Sequence, residues 1–215
     1  MKAVVSGSSS GIGLAIARRY LEEGIEVWGY DLADSAIDDP AYHHAVCDIA
    51  DPAVPAIPDA DIVVSCAGTI DEEKAIDINL RANIAFTGRF LDSPALRSVL
   101  FIASASARNG AEFPMYVASK AGLVGYMKNL ALSLAKRGVT CNSISPGGVI
   151  TPLNSHILDS PELYGAVKAE TLLGKWAEPS EIADLAWYLT VVNRSITGED
   201  ILIDNGEMLK SNFIW

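Results

Sequence analysis

Residues 3–20 read AVVSGSSSGIGLAIARRY, and the order of residue types in this stretch decides the fold. An apolar run that suits a buried strand gives way to a glycine-rich segment, GSSSGIG at 7–13. A segment with Ile12, Ile16 and Tyr20 at helical spacing follows. The pattern predicts a helix over about Gly11 to Glu23, with Gly24 as its stop. A strand, a glycine turn and a helix in immediate succession aim backbone N–H groups and the positive end of a helix dipole at one place. That place suits a pyrophosphate. The spacing is GxxxGxG, not the commoner GxGxxG, so the surroundings must carry the assignment.

Working outward, short apolar runs recur at EVWGY (26–30), DIVV (61–64), SVLFIA (98–103), VTCNSI (139–144) and DILI (200–203), with helical segments between them. Runs this short and this apolar suit strands buried on both faces, and their alternation with helices implies a parallel sheet. A second long helix is expected over about Tyr116 to Arg137, with Leu123, Met127, Leu130 and Leu134 as its apolar stripe and Gly138 as its end. The expectation is one doubly wound α/β domain of the Rossmann type over 1–215, mostly parallel, with about seven strands and helices on both faces. The connections are lean. Between Asp31 and the strand near Asp61 any helix must be short or irregular, and only ten residues separate Gly68 from Asn79.

The chain has 215 residues, a formal net charge of −11 and a sequence pI near 4.6. Nucleic acid and anionic membranes call for a basic face, so neither is expected as a partner, and small-molecule chemistry is. Cys47, Cys66 and Cys141 are odd in number and lack CxxC spacing, which argues for reduced core thiols over disulfides or zinc. His43, His44 and His156 match no metal spacing and read as surface residues; no metal is expected. No apolar run is long enough to span a bilayer, and Met1 leads directly into a strand, so the expected compartment is the cytoplasm.

Asp31 closes the second strand, eighteen residues after Gly13. A carboxylate there can accept hydrogen bonds from an adenosine ribose and repels a 2′-phosphate, while neither Ser10 nor Leu32 supplies an offsetting cation. This favours NAD over NADP as cofactor. Asp48, at the end of the third strand, can face the adenine or serve as a turn residue.

Tyr116 and Lys120, in YVASK, stand at i and i+4, so on a helix they share one face. A phenol of pKa near 10 is a poor base at neutral pH; a neighbouring ammonium favours its ionised form. Lowering it by two to three units takes roughly 3 to 4 kcal/mol of differential stabilisation, which a partly desolvated pocket can provide. Such a tyrosine is a usable acid and base.

With these residues in place the chain resembles the short-chain dehydrogenase/reductase family, in its shorter form, nearly from end to end. The marks are GSSSGIG, Asp31, Asp48, the AG at 67–68, INL at 78–80, FIASAS at 101–106, YVASK at 116–120 and NSISPGGVITP at 142–152. The segments WAEPSEIADLAWYL and ITGEDILIDNG resemble that family's last helix and strand. The resemblance implies that Tyr116 donates and accepts the proton and that Lys120 holds the nicotinamide ribose. It also implies that Ser104 hydrogen-bonds the substrate oxygen and that Asn79 organises a water-linked proton path. Ser106 is the alternative serine. The implied cofactor contacts are Gly7, Ser10, Gly11, Ile12, Gly13, Asp31, Asp48, Ile49, Ala67, Gly68, Pro146, Gly147, Val149 and Thr151, with Tyr116 and Lys120. Residues 151–174 would form an apolar lid over a neutral substrate, and a homodimer or homotetramer is expected, with Ala118, Ala121, Gly122 and Gly125 permitting close helix approach. The tail SNFIW at 211–215 is expected to dock on a neighbouring subunit.

The chain departs from the family at Ser65 and Cys66, where asparagines are usual, and at Asn205 in DNG. The first departure puts local strand-to-strand hydrogen bonding in question. Arg108 could clamp a substrate carboxylate, although an exposed loop arginine is the commoner case. The expected activity is interconversion of a secondary alcohol and a ketone by hydride transfer to or from NAD(H). A non-catalytic NAD sensor and a nucleotide-sugar epimerase are the alternatives. The intact Ser104, Tyr116 and Lys120 set disfavours the sensor, and the short stretch beyond Tyr116 leaves little room for a sugar-binding domain.

Overall fold

The computed structural model describes residues 1–111 and 113–210. Its strands are Lys2–Ser6 (β1), Glu26–Asp31 (β2), Tyr42–Val46 (β3), Ile62–Ser65 (β4), Ser98–Ile102 (β5), Thr140–Pro146 (β6) and Asp200–Ile203 (β7). They form one sheet in the order β3-β2-β1-β4-β5-β6-β7, and every pairing is parallel. The helices are Gly11–Glu22 (α1), Asn83–Gly88 (α2), Ser106–Asn109 (α3), Pro114–Leu134 (α4), Ser155–Leu158 (α5), Pro161–Ala169 (α6) and Pro179–Trp187 (α7). A π-wound segment, Ile76–Ala82, leads directly into α2.

The alternation of side chains along β1 shows why both faces must be covered. Ala3 and Val5 join a cluster with Ile16, Ala17 and Tyr20 of α1 and Ile182, Ala183 and Ala186 of α7. Val4 points the other way, into Phe86 of α2 and Leu123, Met127 and Leu130 of α4. Burying each large apolar side chain contributes about 1.5–3 kcal/mol, so the two stripes read from the sequence suffice to seat α1 and α4. α4 ends as expected, with a 3₁₀ turn over Ala135–Arg137 and then Gly138 at φ 68°, a left-handed conformation that glycine adopts without strain.

β3 was not among the apolar runs, and no helix occurs between β2 and β4; residues 32–41 and 47–61 are turns and bends. As an edge strand β3 buries little, and of YHHAV only Tyr42 is buried. Tyr42 reaches across Gly29 of β2, where a Cβ would sit 1.9 Å from the phenol oxygen. Its hydroxyl donates to Ser8 Oγ at 2.8 Å, tying the sheet edge to the glycine turn. The sheet order reverses between β1 and β4, and the crevice at the C-terminal ends of these strands is where a dinucleotide binds in such folds.

Candidate active site

The glycine turn has no room for side chains at Gly7 and Gly13. A Cβ on Gly13 would lie 2.0 Å from the Gly7 carbonyl oxygen, and one on Gly7, at φ 69°, would lie 3.0 Å from Ala67 Cα. Gly11 takes φ 51° and faces Thr151, whose Cγ2 is 3.3 Å from the Cβ position. The loop after β1 and the segment after β6 therefore meet across the crevice. Ser10 precedes α1 in an extended conformation and makes no side-chain cap to it. Bare backbone at a helix N-terminus fits a pyrophosphate. Ile12 packs partly against the core.

Asp31 stands at the end of β2, its Oδ2 accepting from Ser9 N at 2.9 Å and its Oδ1 from Ala33 N at 3.0 Å. Each oxygen keeps a further lone pair for a ribose hydroxyl. Asp48 is exposed, two residues beyond β3, and caps its own turn by accepting from Ala50 N at 2.9 Å. The Ile49 side chain is buried in the core, which leaves its backbone for any cofactor contact.

Lys120 is on the buried face of α4, its ammonium 5.8 Å from the centroid of the Tyr116 ring. It donates to the Ile102 carbonyl at 2.9 Å, at the end of β5. A Cβ on Gly68 would sit 3.1 Å from Asn79 Oδ1 and 3.5 Å from Lys120 Nζ, so Gly68 lies between them. The Asn79 amide accepts from Thr69 N at 2.7 Å and donates to Thr69 O at 2.9 Å and Ser119 Oγ at 3.1 Å. Ser119 Oγ in turn donates to the Tyr116 carbonyl at 2.6 Å. Asn79 sits in the π-wound segment, where Asn83 Nδ2 takes the carbonyls of Ile78 and Asn79.

Ser104 lies two residues beyond Ile102 and is buried. Its hydroxyl oxygen accepts from Ser106 Oγ at 2.8 Å. The two serines weighed as alternatives are thus in contact. Arg108 is not available as a substrate clamp: its guanidinium donates to Asp200, with Nε 2.8 Å from Oδ2. Asp200 Oδ1 also accepts from Ser143 and Ser145.

On the side that the resemblance assigns to the nicotinamide, Pro146 ends β6 and Gly147 and Gly148 follow, where a Cβ would strike Asp204 and the Trp176 ring respectively. The Val149 side chain is buried, and its carbonyl accepts from Asn154 Nδ2 at 2.9 Å. The segment 151–174 is mostly helical, with a 3₁₀ turn at Pro152–Asn154, then α5 and α6. Leu153 and Leu163 are half exposed on it, whereas Tyr164 folds back against Trp176 at 5.9 Å between ring centroids.

The departures from the family pattern are accommodated locally. Ser6 Oγ accepts from Cys66 N and Ala67 N, and Ser65 Oγ donates to Asn83 Oδ1 at 2.5 Å, so the strand ends stay tied without the usual asparagines. Asn205 takes φ 55° in its turn, a conformation asparagine tolerates better than most residues. The three cysteines are free; Cys141 is buried, and Cys47 and Cys66 are only partly so, which departs from the expectation of three core thiols. Among the described residues no helix is long and apolar enough to cross a membrane, and no group of His, Cys, Asp and Glu could hold a metal. The tail at 211–215 lies outside the described residues.

A family model described as enoyl-(acyl carrier protein) reductase matches residues 7–207. A D-threitol dehydrogenase from Mycolicibacterium smegmatis is 33% identical, over 97% of this chain and 93% of its own. The chain belongs to the short-chain dehydrogenase/reductase family. An NADP-linked L-rhamnose 1-dehydrogenase of Thermoplasma acidophilum is 27% identical over 96% of each chain. The structure of 4-hydroxyisoleucine dehydrogenase with NADH superposes at a TM-score of 0.85, with 26% identity over 98% of this chain and 99% of that one. The alignment with the threitol enzyme runs over 242 residues, against 215 here, which matches the lean connections. This family member is an oxidoreductase that acts on CH–OH groups, interconverting secondary alcohols and ketones.

Proposed function

We propose that this dehydrogenase/reductase uses NAD, with Tyr116 as its proton-transfer group. The observation that carries the reading is the Lys120 ammonium, buried on the same face of α4 as Tyr116 and 5.8 Å from its ring centroid, beside Gly68 and the end of β5. A buried cation near a phenol favours the phenolate. In the oxidative direction Tyr116 accepts the alcohol proton while Ser104 donates a hydrogen bond to the same oxygen; in reduction Tyr116 returns the proton. Lys120 also holds the cofactor ribose, and Asn79 organises the proton path behind it. Gly7, Ser10, Gly11, Ile12 and Gly13 would hold the pyrophosphate side. Asp31, Asp48 and Ile49 would hold the adenosine, with Ala67, Gly68, Pro146, Gly147, Val149 and Thr151 along the nicotinamide half. When bound, NAD supplies the hydride acceptor. The Asp31 carboxylate supports NAD over NADP, because a 2′-phosphate would meet its charge.

The apolar residues of 151–174 support a neutral substrate beneath a lid. The exposed Ala118, Ala121 and Gly125 on α4 support a homodimer or homotetramer, whereas Gly122 packs on Leu80 of its own chain. The cytoplasm remains the expected compartment. The test is a panel of polyols, sugars, steroids and their ketones assayed with NAD and NADP by nicotinamide absorbance. Turnover with NAD that Tyr116→Phe abolishes, with NAD affinity kept, supports the reading. Undiminished turnover by that variant, or a preference for NADP, counts against it.

A further inference from the structure

We infer that Glu72 is a positioning residue for Tyr116, acting through the backbone of α4; the inference rests on the reading of Tyr116 as the proton-transfer group. The first turn of a helix leaves N–H groups without intrahelical partners. In α4 the first residue is Pro114, which has no N–H, and Val117 N already reaches Phe113 O at 2.9 Å. That leaves Met115 and Tyr116, and both go to one side chain 43 and 44 residues away. Met115 N donates to Glu72 Oε2 at 3.1 Å and Tyr116 N to Glu72 Oε1 at 3.0 Å. The preceding residue, Phe113, has no polar group with which to cap the helix. A carboxylate is a favourable cap, because its charge meets the positive end of the helix dipole.

The loop that carries Glu72 is itself held. Thr69 is gripped at N and O by Asn79, and Asp71 folds the loop by taking Glu73 N at 3.1 Å. The Tyr116 carbonyl is taken by Ser119, which accepts from Asn79. Tyr116 is therefore fixed at its N–H by Glu72 and at its C=O by Ser119, and both ties return to Asn79, the first through the short loop and the second directly. The ten-residue link from Gly68 to Asn79 is what brings Glu72 within reach. Loss of the carboxylate would free the turn that carries the phenol without touching the glycine turn or Asp31.

The experiment compares Glu72→Ala and Glu72→Gln with the wild type and with Tyr116→Phe. We expect Glu72→Ala to lower kcat about tenfold, since small displacements of an acid–base group are costly, with the Kd for NAD unchanged within about twofold. Gln keeps one acceptor oxygen for the two N–H groups and should restore only part of the loss. Hydrogen exchange at the Met115 and Tyr116 amides, read without substrate, should quicken at both in Glu72→Ala and at only one of them in Glu72→Gln. Unchanged exchange at both amides, an unchanged kcat, or parallel loss of kcat and NAD binding overturns the inference. A Tyr116→Phe enzyme that still turns over overturns the reading beneath it instead.

Discussion

Ser106 Oγ donates a hydrogen bond to Ser104 Oγ at 2.8 Å, and both hydroxyls are buried. An oxygen that accepts one hydrogen bond becomes a better donor of its own proton, and its rotor is fixed. Ser104→Ala should lower kcat about 100-fold, the usual scale for losing a donor to a reacting oxygen. Ser106→Ala should lower it only about 3- to 10-fold, the scale of one neutral hydrogen bond. Steady-state kinetics at saturating cofactor separates the two. Equal losses would mean that Ser106 itself meets the substrate.

Asp31 does two things at once, and two substitutions separate them. Asn keeps an oxygen for Ser9 N but gives up the charge, whereas Ala gives up both. Asp31→Asn should lower kcat/KM for NAD about 10-fold and move the NAD/NADP ratio toward NADP. Asp31→Ala should lose more with both cofactors, because the glycine turn loses its anchor. Identical behaviour of the two variants would remove the anchoring role.

The elements read most easily from the sequence were those whose own residues bury a stripe. α1 and α4 fell within three residues of expectation at either end, since Ile16 and Tyr20, or Leu123 and Met127, need a core wherever the chain goes. β3 was marked only by the Asp48 that follows it and by no apolar run, because an edge strand takes its stability from pairing with β2 more than from burial. Within the site, Tyr116, Lys120 and the glycines carry local signatures of spacing. Glu72 carries none: its role arises from a loop meeting a helix terminus more than forty residues on, and no periodicity encodes that meeting. Ser106 was visible only as a rival to Ser104, since two hydroxyls two residues apart read alike until the chain turns into α3.

Burial pushes the Cys66 and Cys141 thiols up to about 12, with Lys120 partly offsetting the effect at Cys66. Cys47 is raised as well, by burial first and then by Asp48 and Asp51, but its residue lies nearer the surface than Cys141. The thiolate is the reactive form, so at pH 8 only about one in 10⁴ of a thiol with pKa 12 is available. Brief alkylation of the native protein at pH 8 should mark Cys47 first, with Cys66 and Cys141 marked only after denaturation. Peptide mass spectrometry reads the order. Early labelling of Cys141 would contradict the packing between β6 and α4.

Glu207 lies beside Gly147, and its carboxyl is held above the ordinary 4.5 by burial first and then by Asp204, with Glu170 adding to the effect and a hydrogen bond from the Gly148 backbone opposing it. The folded protein therefore binds this proton more tightly than the unfolded chain does. Ionised Glu207 costs stability at pH values above its folded pKa. The cost falls as pH drops through that value and vanishes once both states are protonated. Glu207→Gln keeps an oxygen for the Gly148 N–H and removes the charge. Its Tm should exceed the wild type's by about 1–2 °C at pH 8, a modest gain because the side chain is partly exposed to water. The gain should shrink toward zero by pH 4. A Tm lowered at pH 8 would show that the Glu207 charge is compensated by a cation brought close in solution, and a gain independent of pH would show that its cause is not the charge.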